Sequence, residues 1–72
     1  MLLEKSGSLF ERAKARFREG DYQNSSKLFS QVFTKYPESV HVIESYFLYS
    51  EGAYLEGNFE ECLKTVEKMV DL

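Results

Sequence analysis

Two short segments with the same pattern divide this chain: "FREGDY" at residues 17–22 and "YLEGNF" at residues 54–59. Each places a glycine after a helix-favouring run, then Asp21 or Asn58, and then an aromatic residue. Glycine readily takes the left-handed conformation that ends many helices, and Asp or Asn accepts hydrogen bonds from the free amides of the following helix. Each stretch therefore predicts a tight turn between two helices.

Apolar residues recur at helical spacing before the first turn, in a block that ends near Glu19. This block has two candidate starts. One is Ser8, because "SLFE" has the pattern of a capping box, in which a serine and a glutamate satisfy each other's free amides. The other lies near Leu2 and leaves a glycine inside the helix.

Three further helical blocks follow. The second begins after Asp21 and ends at Pro37, because proline cannot continue a helix and restricts the residue before it. The third begins after Ser39, a predicted N-cap, and ends before Gly57. The fourth begins at Asn58, with a glutamate three residues later. No stretch alternates as a strand would, so the sequence predicts an all-α fold of four antiparallel helices.

The two turns belong to an internal repeat with an offset of 37 residues, because residues 17–33 align with residues 54–70. The identical pairs are Glu19/Glu56, Gly20/Gly57 and Lys27/Lys64; the similar pairs are Phe17/Tyr54, Asp21/Asn58, Tyr22/Phe59, Phe29/Val66, Val32/Met69 and Phe33/Val70. Ser25 and Cys62 supply small side chains at matching places, where the helices of each pair are expected to cross closely. A fixed period that holds two helices predicts a helical-repeat architecture.

This pattern resembles the tetratricopeptide repeat, a helix–turn–helix unit of about 34 residues. Counted from the two turns, Ala13 and Ser50 stand at the family's small position in the first helix. Ser25 and Cys62 stand at its small position in the second helix, and Pro37 stands at its closing proline.

The resemblance covers nearly the whole chain and implies a right-handed solenoid of helical hairpins. It implies a single domain over residues 1–72, with repeat one at about 6–37 and repeat two at about 40–72. Because a stable stack usually needs about three repeats, we expect the chain to be part of a larger protein.

The chain departs from the family pattern at two positions and in its linker. Leu9 and Tyr46 occupy the family's tryptophan position, and Arg12 and Tyr49 occupy its leucine position. The linker around "YPES" is three residues longer than usual, and is similar to that of bacterial cell-envelope members. The compartment stays open between the cytoplasm and the periplasm.

In the family, the first helix of each repeat lines a concave groove that holds an extended peptide or a helix of a partner protein. The resemblance places seven candidate binding residues in this groove: Phe10, Lys14, Phe17, Arg18, Phe47, Glu51 and Tyr54. Their neighbours in the groove are Gly7, Glu44 and Leu55. The sequence therefore predicts a protein–protein interaction module with an aromatic-lined groove. The alternatives are that these rings form the core or that they lie against a missing neighbour.

A second function stays open, namely self-association as part of a helical scaffold. The last helix carries an apolar stripe that nothing in the sequence covers: Leu63, Val66, Met69, Val70 and Leu72. Repeat arrays need a polar outer face at their ends. We therefore expect copies of the chain to associate through their exposed helix ends.

Other function classes have little support in the sequence. The net charge of −3 is unlike the basic footprint of a nucleic-acid-binding protein. No nucleophile–base–orienter set or phosphate loop is present, so we expect no enzyme activity and no cofactor. His41, the single histidine, is expected at a solvated helix start, and with Glu44 it gives too few ligands for a metal. No apolar run is long enough to span a membrane.

Overall fold

The computed structural model of the chain describes the backbone of residues 2–72 and the side chains of residues 5–72. It contains four helices: α1 (Leu2–Arg18), α2 (Tyr22–Lys35), α3 (Val42–Leu55) and α4 (Phe59–Val70). No strand occurs within this described range. Each helix packs against the next one along the chain, so the fold is the predicted all-α series of helical hairpins.

Helix α1 begins at the earlier of its two candidate starts. It continues unbroken through Ser8, which is exposed, so the capping box of "SLFE" does not form. The preceding turn already uses the amides that Ser8 would have capped. The imidazole of His41 lies against this part of α1, stacked on the ring of Phe10 with 4.5 Å between centroids. His41 is therefore half-buried rather than solvated, which corrects the prediction.

The two turns between paired helices have the same backbone geometry. In the first turn, Gly20 has a φ of +81° and donates its N–H to the carbonyl of Phe17 at 3.0 Å. The N–H of Asp21 donates to the carbonyl of Arg16 at 2.9 Å. In the second turn, Gly57 has a φ of +80°, with corresponding distances of 3.0 and 2.8 Å. This is the Schellman motif, and its left-handed residue favours glycine.

Asp21 and Asn58 cap α2 and α4 as predicted, because each side chain accepts the backbone N–H three residues later at 3.3 Å. Hydrogen bonds from the side-chain amide and the backbone N–H of Asn24 hold the pKa of the Asp21 carboxyl below its ordinary value. The carboxylate of Glu61 accepts a hydrogen bond from the hydroxyl of Tyr49 at 3.1 Å. Burial, together with this carboxylate, raises the pKa of Tyr49. Glu61 therefore joins α4 to α3.

The connection between the two hairpins is fixed by a proline and a serine. Pro37 follows Tyr36, which leaves the helical region with a φ of −129° and ends α2. The N-cap of α3 is His41, two residues beyond the predicted cap at Ser39. Ser39 instead accepts the N–H of His41 at 3.1 Å and donates its hydroxyl to Ser6 Oγ at 3.0 Å. The serine thus ties the connection to α1.

The hydrophobic core lies between α1 and α2, with α3 packed over it. Its buried cluster consists of Leu9, Phe10, Ala13, Phe29 and Val32. Phe29 is fully buried and meets the rings of Phe10 and Phe17 edge-on, at centroid distances of 6.0 and 6.4 Å. Helix α4 adds little, because Thr65 is its only buried residue in the described part of the chain. The core is therefore formed mainly by the first repeat and α3.

The small residues at the two helix crossings differ in burial. Ser25 is 1% exposed, whereas Cys62, at the same place in the second repeat, is only half-buried. Helix α3 covers the first hairpin, and no helix in the described structure covers the second hairpin in this way. The predicted burial of a small residue at this position is therefore realised in repeat one alone.

Replacing Ser45 by alanine is expected to stabilise the protein. Ser45 is fully buried on α3, and its hydroxyl has no hydrogen-bond partner among the described residues. Removing such a group relieves a desolvation penalty of about 1–3 kcal/mol, so we expect a gain of about 1 kcal/mol in the free energy of unfolding, measured by urea denaturation. The control is Ser50→Ala on the same helix, because the Ser50 hydroxyl donates to the Phe47 carbonyl at 2.7 Å. A loss of stability in Ser45→Ala would contradict the prediction.

Candidate functional site

The aromatic binding residues predicted in the first repeat are core residues in this structure. Phe10 is only 2% exposed and belongs to the central cluster. Phe17 is half-buried, and its ring meets the ring of Tyr22 at a centroid distance of 5.1 Å. The alternative that these rings form the core therefore holds for repeat one. A buried ring cannot anchor a partner, so Phe10 does not belong to the candidate surface.

The charged candidates of the first repeat lie at the edge of this packed region. The ammonium of Lys14 lies 4.9 Å from the centroid of the Phe10 ring, within the range of a cation–π interaction. It also lies 3.3 Å from the carboxylate of Glu11. Arg18 is exposed at the end of α1. Lys14 is thus engaged within the chain, and Arg18 is accessible.

The aromatic candidates of the second repeat are exposed. Phe47 is 52% exposed and Tyr54 is 59% exposed, while Glu51 between them is half-buried. Ile43, one helical turn before Phe47, is also exposed. Their spacing of four and seven residues puts the three apolar side chains on one side of α3. The sequence-based prediction did not include Ile43, although its spacing from Phe47 is the signal that would have found it.

Helix α4 adds a second exposed apolar stripe beside the first. Phe59, Leu63 and Val70 recur at helical spacing and are exposed, while Val66 between them is half-buried. The rings of Tyr54 and Phe59 lie 5.5 Å apart and join the two stripes. We define the α3–α4 face as the six exposed apolar residues of both stripes: Ile43, Phe47, Tyr54, Phe59, Leu63 and Val70.

The first hairpin contains the same aromatic pair, and there it is covered. Phe17 and Tyr22 correspond to Tyr54 and Phe59 at the 37-residue offset, with similar tilts of 67° and 57° between the rings. Helix α3 crosses over the Phe17–Tyr22 pair at Gly52. A Cβ built on Gly52 would lie 3.8 Å from both side chains of that pair. The α3–α4 face thus repeats a surface that accepts a helix in the first hairpin.

The charges of the chain are divided between its two halves. Residues 1–36 contain seven basic and four acidic residues, a net charge of +3, and residues 37–72 contain two basic and eight acidic residues, a net charge of −6. Two basic residues, Lys64 and Lys68, lie within three positions of the α3–α4 face in sequence. The acidic residues within the same distance are seven: Glu44, Glu51, Glu56, Glu60, Glu61, Glu67 and Asp71. One of them, Glu60, lies 3.7 Å from the ammonium of Lys64, and both side chains are exposed. The residues that flank the α3–α4 face in sequence therefore carry a net negative charge, and the seven acidic ones are called the acidic rim below.

The described residues offer no site for metal chemistry, since no group of three or more His, Cys, Asp or Glu side chains is placed to hold an ion. Within the same part of the chain, none of the helices has the length and apolar character that a membrane crossing requires. The candidate site is the exposed α3–α4 face. Comparison with protein-family models, with curated proteins and with solved structures finds no significant match to this chain.

Proposed function

We propose that this chain is a tetratricopeptide-like protein-interaction module, and that its α3–α4 face binds a helix of another polypeptide. One observation carries the proposal. The Tyr54–Phe59 pair is open to solvent, whereas its counterpart, Phe17–Tyr22, lies under helix α3. Exposed apolar surface of this extent on a small domain is typical of an interaction site, and aromatic side chains are frequent anchors of interfaces.

The way in which α3 packs on the first hairpin indicates what the ligand must look like. Gly52 lies where α3 contacts the first hairpin, and a Cβ there would be 3.6 Å from Ser26 Oγ. A ligand helix therefore needs a small residue at the corresponding crossing, above Tyr54 and Phe59. On either side of that residue it needs apolar side chains to cover the stripes. Basic residues along its flanks would complement the acidic rim.

A designed peptide tests this proposal. The probe is a fluorescein-labelled 18-residue amphipathic helix with leucines on one side, one alanine at the crossing and lysines on the flanks. We expect it to bind in a fluorescence anisotropy titration, and we expect Tyr54→Ala combined with Phe59→Ala to weaken binding by about tenfold or more, because aromatic anchors commonly contribute over about 1 kcal/mol each.

Two controls make the result specific to the α3–α4 face. Val40→Ala removes an apolar side chain that is 81% exposed in the connection between α2 and α3, outside the α3–α4 face, so binding should not change. A second peptide with glutamates in place of the lysines should bind more weakly, because it meets the acidic rim with like charge. Equal affinity of the parent protein and the Tyr54/Phe59 double variant for the lysine peptide would refute the proposal.

A further inference from the structure

We infer that the helix received by the α3–α4 face is α1 of a second copy of this chain, docked head to tail. The inference rests on the proposed function and names the partner. Within one chain, the second hairpin stacks on the first through α3. In the assembly, the first hairpin of one copy stacks on the second hairpin of another, and the stacking continues from copy to copy.

The outer side of α1 has the shape that this position requires. Two small residues of α3, Ser45 and Gly52, are buried and seven residues apart, and Gly52 lies against the first hairpin. The 37-residue offset carries these two positions to Ser8 and Ala15 of α1. Ser8 is exposed and Ala15 is partly exposed, so both are accessible to a second copy. A helix with small residues at this spacing can approach another hairpin as closely as α3 does.

Charge complementarity selects a second copy as the partner. The outer side of the first hairpin has two adjoining depressions of about 270 and 380 Å³, which share Arg12 and Gln31. The basic residues that line them are Lys5, Arg12, Arg16, Lys27 and Lys35. The α3–α4 face lies in the half of the chain with a net charge of −6. One chain therefore carries both a basic surface and an acidic-rimmed apolar surface.

The same charges disfavour a symmetric dimer in which the α3–α4 faces of two copies meet. Two α3–α4 faces docked on each other would bring two acidic rims together, and like charges across an interface oppose association. Head-to-tail contacts use two different surfaces of each copy, so they do not close after two chains. A dimer that stops at two copies is not expected from this geometry.

The experiment uses variants that each block one surface. The tail-blocked variant, Tyr54→Lys with Leu63→Lys, changes the α3–α4 face, which is the tail of each copy. The head-blocked variant, Ser8→Glu with Arg12→Glu, changes the outer side of α1, which is the head. All four residues are exposed, so both variants should fold, and circular dichroism checks this. In sedimentation equilibrium, the apparent molecular mass of the parent protein should be above the 8.4 kDa of one chain and should rise with protein concentration. Its association constant should fall about tenfold between low and high salt, because screening weakens exposed charge pairs.

The mixing result is decisive. Each blocked variant should be a monomer alone, and an equimolar mixture should form a one-to-one dimer, because the intact head of one variant fits the intact tail of the other. Val40→Lys, in the connection between α2 and α3 and outside the α3–α4 face, should associate like the parent. A parent that stays monomeric, or a head-blocked variant that dimerises alone, would overturn the inference. If the designed peptide still binds to a monomeric parent, only this inference fails; if neither binds, the proposed function fails as well.

Discussion

Phe29→Ala is expected to remove most of the stability of this domain. Phe29 is fully buried at the centre of the core, between the rings of Phe10 and Phe17. Replacing a buried phenylalanine by alanine costs about 3–5 kcal/mol, because apolar contacts are lost and a cavity remains. A chain of 72 residues has a total stability of only about 4–11 kcal/mol at the usual value per residue. The variant should therefore be partly or wholly unfolded at 25 °C.

Thermal unfolding followed by circular dichroism measures this effect, with Phe59→Ala as the matched control. Both phenylalanines lie on the second helix of a hairpin, but Phe59 is 57% exposed. Removing the Phe59 ring takes away little buried surface, so the unfolding temperature of the Phe59→Ala variant should fall by a few degrees at most. Comparable losses in the two variants would show that the core does not lie where the structure places it.

Gly52→Leu is expected to cost about 2–3 kcal/mol, because it overpacks the contact between α3 and the first hairpin. A Cβ at Gly52 would already touch Ser26, Phe17 and Tyr22 at 3.6–3.8 Å. The further carbons of leucine have no space there, so α3 must move away from the Phe17–Tyr22 pair. Chemical denaturation should show the loss of stability, and ring-current shifts of Phe17 and Tyr22 should report the movement.

The companion variant Gly52→Ala should behave in the opposite way. Distances of 3.6–3.8 Å are ordinary van der Waals contacts, so the added methyl group fits without displacement. Alanine also favours the helix over glycine by up to about 1 kcal/mol. We therefore expect a small increase in the unfolding free energy. If alanine destabilised the protein as much as leucine, the helices would be closer together than in the structure described.

The turns could be predicted from the sequence because they depend on local chemistry. Gly20 and Gly57 end their helices through backbone geometry, and Asp21 and Asn58 cap the next helices through side chains three residues away from their donors. Interactions of this kind are complete within about six residues. The start of α1 does not follow from local chemistry in this way, because Ser8 caps a helix only if no helical turn precedes it.

The candidate site could be predicted only in part. Phe10 and Phe47 occupy equivalent positions of the repeat, yet Phe10 is 2% exposed and Phe47 is 52% exposed. Local pattern cannot separate them, because the difference comes from which neighbouring elements cover each ring. Glu61 is a similar case, since its carboxylate bonds to Tyr49 twelve residues away.

The four helices, the two glycine turns and the 37-residue repeat can be derived from the amino-acid sequence, because periodicity and capping act over short distances. Which apolar residues form the core and which form a surface depends on how the helices pack in three dimensions. Helix α3 packs against the first hairpin, where Phe10 and Phe29 are buried and Phe17 is half-buried, and no described helix packs in the same way on the second hairpin. Burial is a property of neighbours in space, so two nearly equivalent repeats acquire different roles.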